Sequence, residues 1–411
     1  MAARTLAVVV SIGCVVACSR RSEAPQPRPD EASARIASWR ADLTFLANEL
    51  PRRHIDPFFH VRETDFRAAV AALDRTIASA SDAQIISGIV RIAAMIGDAH
   101  TAVALANRGG IYPLALYDFS DGMFVVGAPA DAAWAIGAKL VGIGNRSIDD
   151  ARTALEPLIA HDNDAGIRAG LPAALVSPIL LAGSGLAPDD RHVSYRLALA
   201  DGDTRELALE PGLAPTALAR PATMPLYIQQ PRLPYWKSYD ADRRLLYIQY
   251  NQCREGDPPL ATFVASIFDT LEHRPIDRVV IDLRHNGGGN SALLDPFIHR
   301  LAARRDLAGH VYAVIGRRTF SSAVLNAIAL HRAGAILVGE PTAGKPSHHG
   351  EVRSFTLPTS ELPVTYSTKF FANGDVEGDA LRPDIAVAAS YADWAAGRDP
   401  VLDAILGHAS R

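Results

Sequence analysis

The sequence contains little cysteine, which excludes a fold held together by disulfide bonds. Only three cysteines occur in 411 residues, and Cys14 and Cys18 both lie in the apolar N-terminal stretch. Cys253 is therefore left without a partner in the rest of the chain. Because it closely follows a strand-like run, we interpret Cys253 as a small buried apolar residue rather than a nucleophile.

The sequence also lacks an excess of charge of either sign. Lysine and arginine number 41 against 45 aspartates and glutamates, a net charge of -4. This balance gives no reason to expect nucleic acid or an anionic surface as a partner. Hydrophobic residues make up 48% of the chain and charged residues 21%, as in an ordinary globular protein with room for two or three domains.

No apolar run is long enough to cross a bilayer as a helix. The one conspicuous run, Thr5 to Ala17, has thirteen residues and follows a short basic start at Met1 to Arg4. This pattern predicts the core of a signal peptide.

The end of that run, Val15-Val16-Ala17-Cys18, resembles the lipobox of bacterial lipoproteins. The resemblance implies that Cys18 becomes the lipidated first residue of the mature chain, with residues 1–18 as signal. Ser19 rather than Asp follows, which in the lipoprotein pattern favours the outer membrane on its periplasmic side. The alternative is an ordinary signal peptide cut at a small-residue site. Residues 19–31, rich in Pro, Arg and Ser, are expected to be a flexible tether.

Residues 32–105 show helical spacing of apolar residues. One stripe comprises Ile36, Trp39, Leu43, Leu46 and Leu50, and further helices are expected up to Ile96. The helical segment ends in Gly97-Asp98-Ala99-His100-Thr101, before a predicted strand at Ala102 to Leu105.

Residues 106–215 are expected to form a small β-rich domain with a helical insertion at Ala165 to Leu186. Its segment Gly137 to Ala151 resembles half of a PDZ domain, although Gly144-Asn145 reverses the usual order and no carboxylate-binding loop is evident. A degenerate packing domain and a working peptide-binding domain both fit these features.

Residues 216–408 alternate predicted strands and helices, which indicates an α/β core. Predicted strands are Leu245 to Tyr250, Val279 to Asp282, Val311 to Ile315 and Ala335 to Val338, followed by antiparallel strands at Glu351 to Phe355 and Val364 to Ser367. A single closing helix is predicted over Tyr391 to His408.

Two strand-to-loop junctions in this core carry chemistry. Thr319-Phe320-Ser321-Ser322 lies between a predicted strand and a predicted helix, where a hydroxyl is exposed beside free N–H groups of the helix start. The run Arg278 to Asn290 ends a strand in three glycines, which let backbone N–H groups approach a ligand closely. A serine at a helix start is ordinarily an N-cap, so the neighbouring motifs decide between the two interpretations.

Together, DLRHNGGG, TFSSA and GEPTAGKP resemble the core of the tail-specific, or C-terminal-processing, serine peptidases. The resemblance implies a mixed α+β chain whose catalytic core is a crotonase-like spiral. It also implies that Ser321 is the nucleophile and that the N–H groups of Ser322 and Gly288 are the oxyanion donors. Gly287 replaces Gly288 if the loop has a different register.

The general base has two candidates. Lys345 follows Ser321 by 24 positions, close to the spacing of the Ser–Lys members, but a lysine must be buried to lose its proton near neutral pH. His100 needs no such change. The segment GDAHT resembles the D-x-H-T element of the tricorn-like branch, and Glu377 in EGDALRPD stands where that branch has a supporting carboxylate. We favour His100 as base and Glu377 as its orienting carboxylate, with Lys345 as the alternative.

Rival chemistries fit less well. Gly339 to Lys345 matches most of a phosphate-binding loop, but Pro346 stands where Ser or Thr should hold magnesium. The pair His348-His349 could suggest a metal site, but no third ligand lies at standard spacing. An esterase is not favoured, because the sequence contains no G-x-S-x-G elbow. We expect no cofactor and a protein or peptide substrate. The alternative from a different class is a non-catalytic protein that binds peptides or small hydrophobic molecules.

The lipobox makes a direct prediction about membrane attachment. The Cys18→Ser variant should fail to take up labelled palmitate and should leave the membrane fraction, since only multiple acylation holds such a protein firmly. A variant that still incorporates palmitate and still fractionates with membranes would refute lipidation at Cys18.

Overall fold

The computed structural model describes residues 29–105, 108–212, 218–221 and 223–408. The predicted signal peptide, Cys18 and most of the tether lie outside the described residues. Within the described part of the chain, no helix is both long and apolar enough to span a membrane.

Three helices begin the described chain: α1 (Pro29–Arg53), α2 (Glu63–Thr76) and α3 (Asp82–Ala94). The predicted stripe from Trp39 to Leu50 is buried, as expected for an amphipathic helix. Helix α3 begins at a capping box, in which the Ser81 side chain accepts from the Gln84 amide and the Gln84 side chain accepts from Ser81. These helices form one face of a core shared with the sheet that follows.

A predominantly antiparallel sheet follows in the order β1-β2-β3-β5-β6, with the short β4 paired to β3. Strands β2 and β5 alternate buried and partly exposed residues, so one face of this sheet packs on the core. The predicted helical insertion consists of two helices, because Pro178 begins a new helix after a break. The elements are β1 (Ala115–Phe119), β2 (Gly122–Gly127), β3 (Lys139–Ile143), β4 (Arg146–Ser147), α4 (Ile148–Leu155), α5 (Asp164–Ala174), α6 (Pro178–Gly183), β5 (Val193–Ala198) and β6 (Thr204–Leu209). The PDZ comparison and the domain boundaries stay predictions.

The C-terminal half contains the predicted α/β core. The remaining elements are β7 (Tyr235–Asp240), β8 (Leu245–Tyr250), α7 (Leu260–His273), β9 (Arg278–Asp282), α8 (Asp295–Ala302), β10 (Val311–Ile315), α9 (Ser322–Arg332), β11 (Ile336–Gly339), β12 (His348–Thr356), β13 (Pro363–Phe371), β14 (Ile385–Ala386), α10 (Tyr391–Ala395) and α11 (Pro400–Gly407). The sheet order is β14-β11-β10-β9-β8-β7, and all neighbours are parallel except β7 and β8. Strands β8 and β10 are buried along their whole length, as in a sheet covered on both faces.

The predicted strands of this core are confirmed, but the single closing helix is wrong. The chain breaks between α10 and α11, where Gly397 has a φ of 70° and Asp399 starts the next helix by accepting from the Val401 amide. Pro400 at the first helical position favours that restart. A crotonase-like spiral stays a prediction, whereas the mixed α/β class is observed.

Strands β12 and β13 form a long hairpin that the helical segment holds in place. Asp42 of α1 accepts hydrogen bonds from the amides of Thr359 and Ser360 in the hairpin turn, at 2.7 and 2.8 Å. Ala102 exchanges backbone hydrogen bonds with Thr365 of β13, although the predicted strand at Ala102 to Leu105 is reduced to an isolated bridge at Val103. The segment around His100 is thereby fixed against the hairpin.

Candidate active site

Ser321 lies at a sharp turn between β10 and α9. Its φ of 54° and ψ of -128° are unfavourable for a residue with a side chain, and such strain costs about 1–3 kcal/mol. Neighbouring bonds hold the turn: the Thr319 hydroxyl donates to the Leu283 carbonyl at 2.8 Å, and the Phe320 amide donates to the Asn286 carbonyl at 3.0 Å. Ser321 occupies the N-cap position, yet its side chain makes no capping hydrogen bond. The ordinary role of a serine at a helix start is therefore absent.

Ser322 has a different role from Ser321. Its hydroxyl donates to the Gly289 carbonyl at 2.7 Å and so ties the start of α9 to the glycine loop. Among the described residues, no hydrogen bond engages the Ser321 hydroxyl. The structure thus leaves the Ser321 hydroxyl, rather than that of Ser322, available to attack a substrate.

The glycine loop packs directly on this turn. A Cβ added to Gly288 would lie 2.8 Å from the Ser321 Cβ and 3.1 Å from the Ser322 nitrogen, so no larger residue fits there. The Gly288 amide, however, donates to Asn286 Oδ1 at 2.9 Å. The Ser322 amide makes no hydrogen bond within the described chain. Gly288 can therefore serve as an oxyanion donor only if its bond to Asn286 is exchanged, and that assignment stays a prediction.

His100 is brought into the same cavity as Ser321. Its ring stacks on Phe320 with a centroid separation of 4.3 Å, and both of its ring nitrogens are buried without a hydrogen-bond partner in the described part of the chain. His100 Nδ1 lies 3.5 Å from Asp98 Oδ1, and its backbone N–H donates to the same oxygen at 3.0 Å. The neighbouring carboxylate of His100 is thus Asp98.

Asp98 is a fully buried carboxylate surrounded by donors. His54 Nε2 donates to it at 3.1 Å, and the hydroxyls of Thr101 and Ser367 both donate at 2.6 Å. Burial alone would raise the pKa of Asp98, but the nearby His100 ring and hydrogen bonds from His54, Ser367 and Thr101 outweigh it and hold that pKa well below its usual range. Asp98 therefore remains a negative charge beside His100.

His348 is a second imidazole in the cavity. From the sequence, we considered this residue only as a possible metal ligand. Its ring lies 5.8 Å from that of His100, nearly parallel, and its Nδ1 contacts the Lys345 carbonyl at 2.9 Å. Because a carbonyl only accepts, Nδ1 carries the proton and Nε2 keeps a lone pair, buried and without a partner among the described residues. Burial, and then the nearby His100, lower the pKa of His348. The sequence feature that could have indicated the position of His348 is the strand pattern, because alternate residues of a strand lie on opposite faces.

Lys345 and Glu377 are not among the residues that line the cavity with His100. The Lys345 side chain is half-buried and makes no ion pair within the described chain, although its backbone follows Gly344, which packs on Ser321. Glu377 lies on an exposed loop and does not line the cavity. Glu351, at a φ of 56°, does line it, and no motif indicated this. The roles of Lys345 and Glu377 stay predictions.

The cavity has a volume of about 390 Å³ and mixes reactive and apolar side chains. It is lined by His100, Gly287, Gly289, Phe320, Ser321, Ser322, Leu325, His348, Glu351, Val352 and Phe371.

Among the described residues, no group of three His, Cys, Asp or Glu side chains is placed to hold a metal ion. His348 and His349 differ in surroundings, since His349 packs on Phe59 at 4.3 Å. A nucleophile, an imidazole and a charged carboxylate are the groups that acyl transfer requires.

Comparison with known proteins supports the fold. No family model matches the sequence, and no curated protein matches it. A solved structure of mature CPAF complexed with lactacystin matches with a TM-score of 0.64 and 14% identity, over 91% of this chain and 98% of that chain. Another structure of mature CPAF matches with a TM-score of 0.59 and 13% identity, over 91% and 97% of the two chains. The chain therefore shares the overall fold of mature CPAF.

The Asp98 environment predicts how stability depends on pH. Because the folded-state pKa is lowered, ionised Asp98 stabilises the fold above its unfolded pKa of about 3.9, and this stability is lost as the pH falls towards the lower folded value. Asp98→Asn should destabilise the protein at pH 7 by about 1–3 kcal/mol. It should also flatten the fall of the melting temperature between about pH 5 and pH 2.

The matched control is Asp242→Asn, on an exposed turn, which should leave both quantities unchanged. Thermal melts of the three proteins across pH make the comparison. An Asp98→Asn protein whose melting temperature follows the wild-type curve at every pH would show that Asp98 carries no such charge.

Proposed function

We propose that the protein is a serine endopeptidase that hydrolyses peptide bonds through an acyl-enzyme on Ser321. The observation that carries this proposal is a strained serine with an unengaged hydroxyl, in one cavity with an imidazole whose neighbouring carboxylate is held ionised. Strain of this kind persists only where surrounding structure enforces it, and it concentrates at functional sites.

In the proposed reaction, His100 removes the Ser321 hydroxyl proton as Oγ bonds to the peptide carbonyl carbon. The N–H of Ser322, at the start of α9, stabilises the resulting oxyanion, together with a glycine-loop amide. His100 then gives its proton to the leaving amine as the C–N bond breaks. Water repeats the sequence on the acyl-enzyme and releases Ser321.

Asp98 orients the His100 ring and stabilises the imidazolium that forms, as the carboxylate does in serine peptidase triads. In the described conformation the Phe320 ring covers His100, and neither ring nitrogen of His100 bonds to Ser321. Acylation therefore requires a His100 ring nitrogen to form a hydrogen bond with Ser321 when a substrate enters. Such tightening of catalytic contacts on binding is common.

The substrate is proposed to be a protein or peptide that reaches the periplasm. A lipid on Cys18 would hold the enzyme at the outer membrane, with the tether separating the described domains from the bilayer. The alternative, a non-catalytic protein that binds peptides or small hydrophobic molecules, leaves the strain at Ser321 and its unengaged hydroxyl without a purpose. We therefore favour catalysis.

The role of Ser321 is tested by a pair of neighbouring serines. Ser321→Ala should lower peptide hydrolysis by several orders of magnitude, because it removes the nucleophile. Ser322→Ala should lower it by only about ten-fold, because one hydrogen bond to Gly289 is lost. Both should melt near the wild-type temperature. Full hydrolysis by Ser321→Ala, or an inactive Ser322→Ala beside an active Ser321→Ala, would refute the assignment.

The identity of the base is tested by three single variants assayed across pH. His100→Ala should lose several orders of magnitude in turnover, by analogy with removing the base of a triad. Lys345→Ala and His348→Phe should each lose much less.

The control for the loss of a nearby ring is His349→Ala. His349 is adjacent to His348 in sequence but packs on Phe59 instead. If Lys345→Ala is inactive while His100→Ala retains activity, the enzyme is a Ser–Lys peptidase. If His348→Phe is the inactive variant, the base is His348.

A further inference from the structure

A second cavity lies beneath the active-site loops, between the antiparallel sheet and the α/β core. It has a volume of about 90 Å³, and a cavity needs only about 10–15 Å³ on this measure to hold one water. It is therefore large enough for a ligand of a few heavy atoms. Strand β1, helix α5 and the carboxyl ends of β10 and β11 enclose it, and carboxyl ends of parallel strands are where α/β sheets bind ligands.

Most of the charges around this cavity are paired. Asp118 of β1 and Glu340 after β11 share two arginines: Arg168 lies 2.7 Å from Asp118 and 3.8 Å from Glu340, and Arg317 lies 3.5 and 3.2 Å from the same two. Arg284 is matched by Asp282 and Asp399. Each of these three arginines therefore has a carboxylate partner within the protein.

Two groups that line the cavity, Arg318 and His285, have no such partner among the described residues. Arg318 is exposed and makes no ion pair with any described residue. His285 Nε2 is buried and has no hydrogen-bond partner in the part of the chain that the structure describes. Burial, and then the positive charges of Arg318 and Arg284, lower the pKa of His285 to about 3. The imidazole is thus neutral.

A buried polar atom without a partner costs about 1–3 kcal/mol, so it calls for a ligand that completes its bonding. A neutral imidazole with hydrogen on Nε2 donates one hydrogen bond, and Arg318 supplies a mobile guanidinium. Both are donors. Because Arg318 has no ion pair among the described residues, it can bind one carboxylate directly, whereas a second negative charge on the ligand would be repelled by Asp118 and Glu340.

We propose that this cavity is a binding site for a small carboxylate, held between Arg318 and His285. A carboxylate presents two acceptor oxygens in the plane that a guanidinium recognises. The carboxylate could belong to a free organic acid or to the end of a peptide chain, and the chemistry of the site is the same for both.

The site is connected to Ser321 through two short stretches of backbone. Arg284 and His285 line the cavity, and the same loop continues through Asn286 to the glycines beside Ser321. Gly316 to Arg318 also line it, and three residues later the chain reaches Ser321. A bound carboxylate would therefore change the position of both loops of the active site. This second claim depends on the proposed function, whereas binding does not.

Binding is measured by calorimetry on full-length Ser321→Ala protein, which keeps the cavity but does not consume the ligand. The probes are acetate, acetyl-alanyl-alanine and the C-terminal amide of that dipeptide. We expect the free acids to bind, and the amide to bind at least about ten-fold more weakly, because it lacks the charge that Arg318 recognises. Acetate as the tighter ligand indicates a free organic acid, and the dipeptide as the tighter ligand indicates a chain end.

Two variants and a control locate the binding. Arg318→Ala and His285→Phe should each weaken acid binding by at least about ten-fold; Phe keeps a ring against Tyr227. Arg191→Ala, an exposed arginine on a loop elsewhere, should bind as the parent does. Equal binding of acid and amide, or unchanged binding by Arg318→Ala and His285→Phe, would overturn the proposal.

The connection to Ser321 is measured separately, on enzyme that retains Ser321. Saturating acid should change the rate at which a fluorophosphonate labels Ser321 by at least about three-fold, and Arg318→Ala should abolish that change. Binding without any change in labelling would overturn the connection alone. If the wild-type enzyme is never labelled, the proposed function fails and the binding result stands.

Discussion

The buried negative charge of Asp98 is the interaction on which the candidate site depends. Its carboxylate joins three parts of the chain: His54 after α1, Thr101 beside His100, and Ser367 on β13. An ionised carboxylate in the interior is tolerated only when donors surround it, so these segments must meet in this arrangement. His54 Nδ1 accepts from the Asp56 amide, which leaves the hydrogen on Nε2 for Asp98. The charge that would stabilise a protonated His100 is therefore built by the same contacts that dock the helical segment on the hairpin.

On the other side of the cavity, hydrogen bonds of Asn286 hold the segments around Ser321 together. The Asn286 carbonyl accepts from Phe320, and the Asn286 side chain donates to the Tyr250 carbonyl and accepts from Gly288. Three strand ends, those of β8, β9 and β10, are thus joined under Ser321. The strain at Ser321 follows from this arrangement, because the turn is held at both ends before α9 begins. The cavity with Arg318 and His285 lies along the same two loops, which is why a ligand there would affect Ser321.

Much of the fold could be predicted from the sequence because buried parallel strands are short and apolar. Strands β8, β9 and β10 have that pattern, and Gly316 directly follows β10 before the turn at Ser321. His100 was identified by resemblance, but the role of Asp98 was not, since Ser367 lies 269 residues away in sequence and only the fold brings it close. His348 was missed for a similar reason: its importance comes from stacking on His100. Glu377 was expected beside the base on motif order alone, and motif order does not fix where an exposed loop lies. The break between α10 and α11 could have been predicted, because Gly397 is a signal for the end of a helix and Asp399-Pro400 is a signal for the start of another.

The most direct test of the central claim is covalent labelling of the wild-type protein with a fluorophosphonate, followed by mass spectrometry of the modified peptide. If Ser321 is activated by His100 and Asp98, a single adduct should appear on Ser321, and denatured protein should not react. An adduct on Ser322 instead, or peptide hydrolysis that continues with Ser321 unmodified after full exposure to the reagent, would contradict the account.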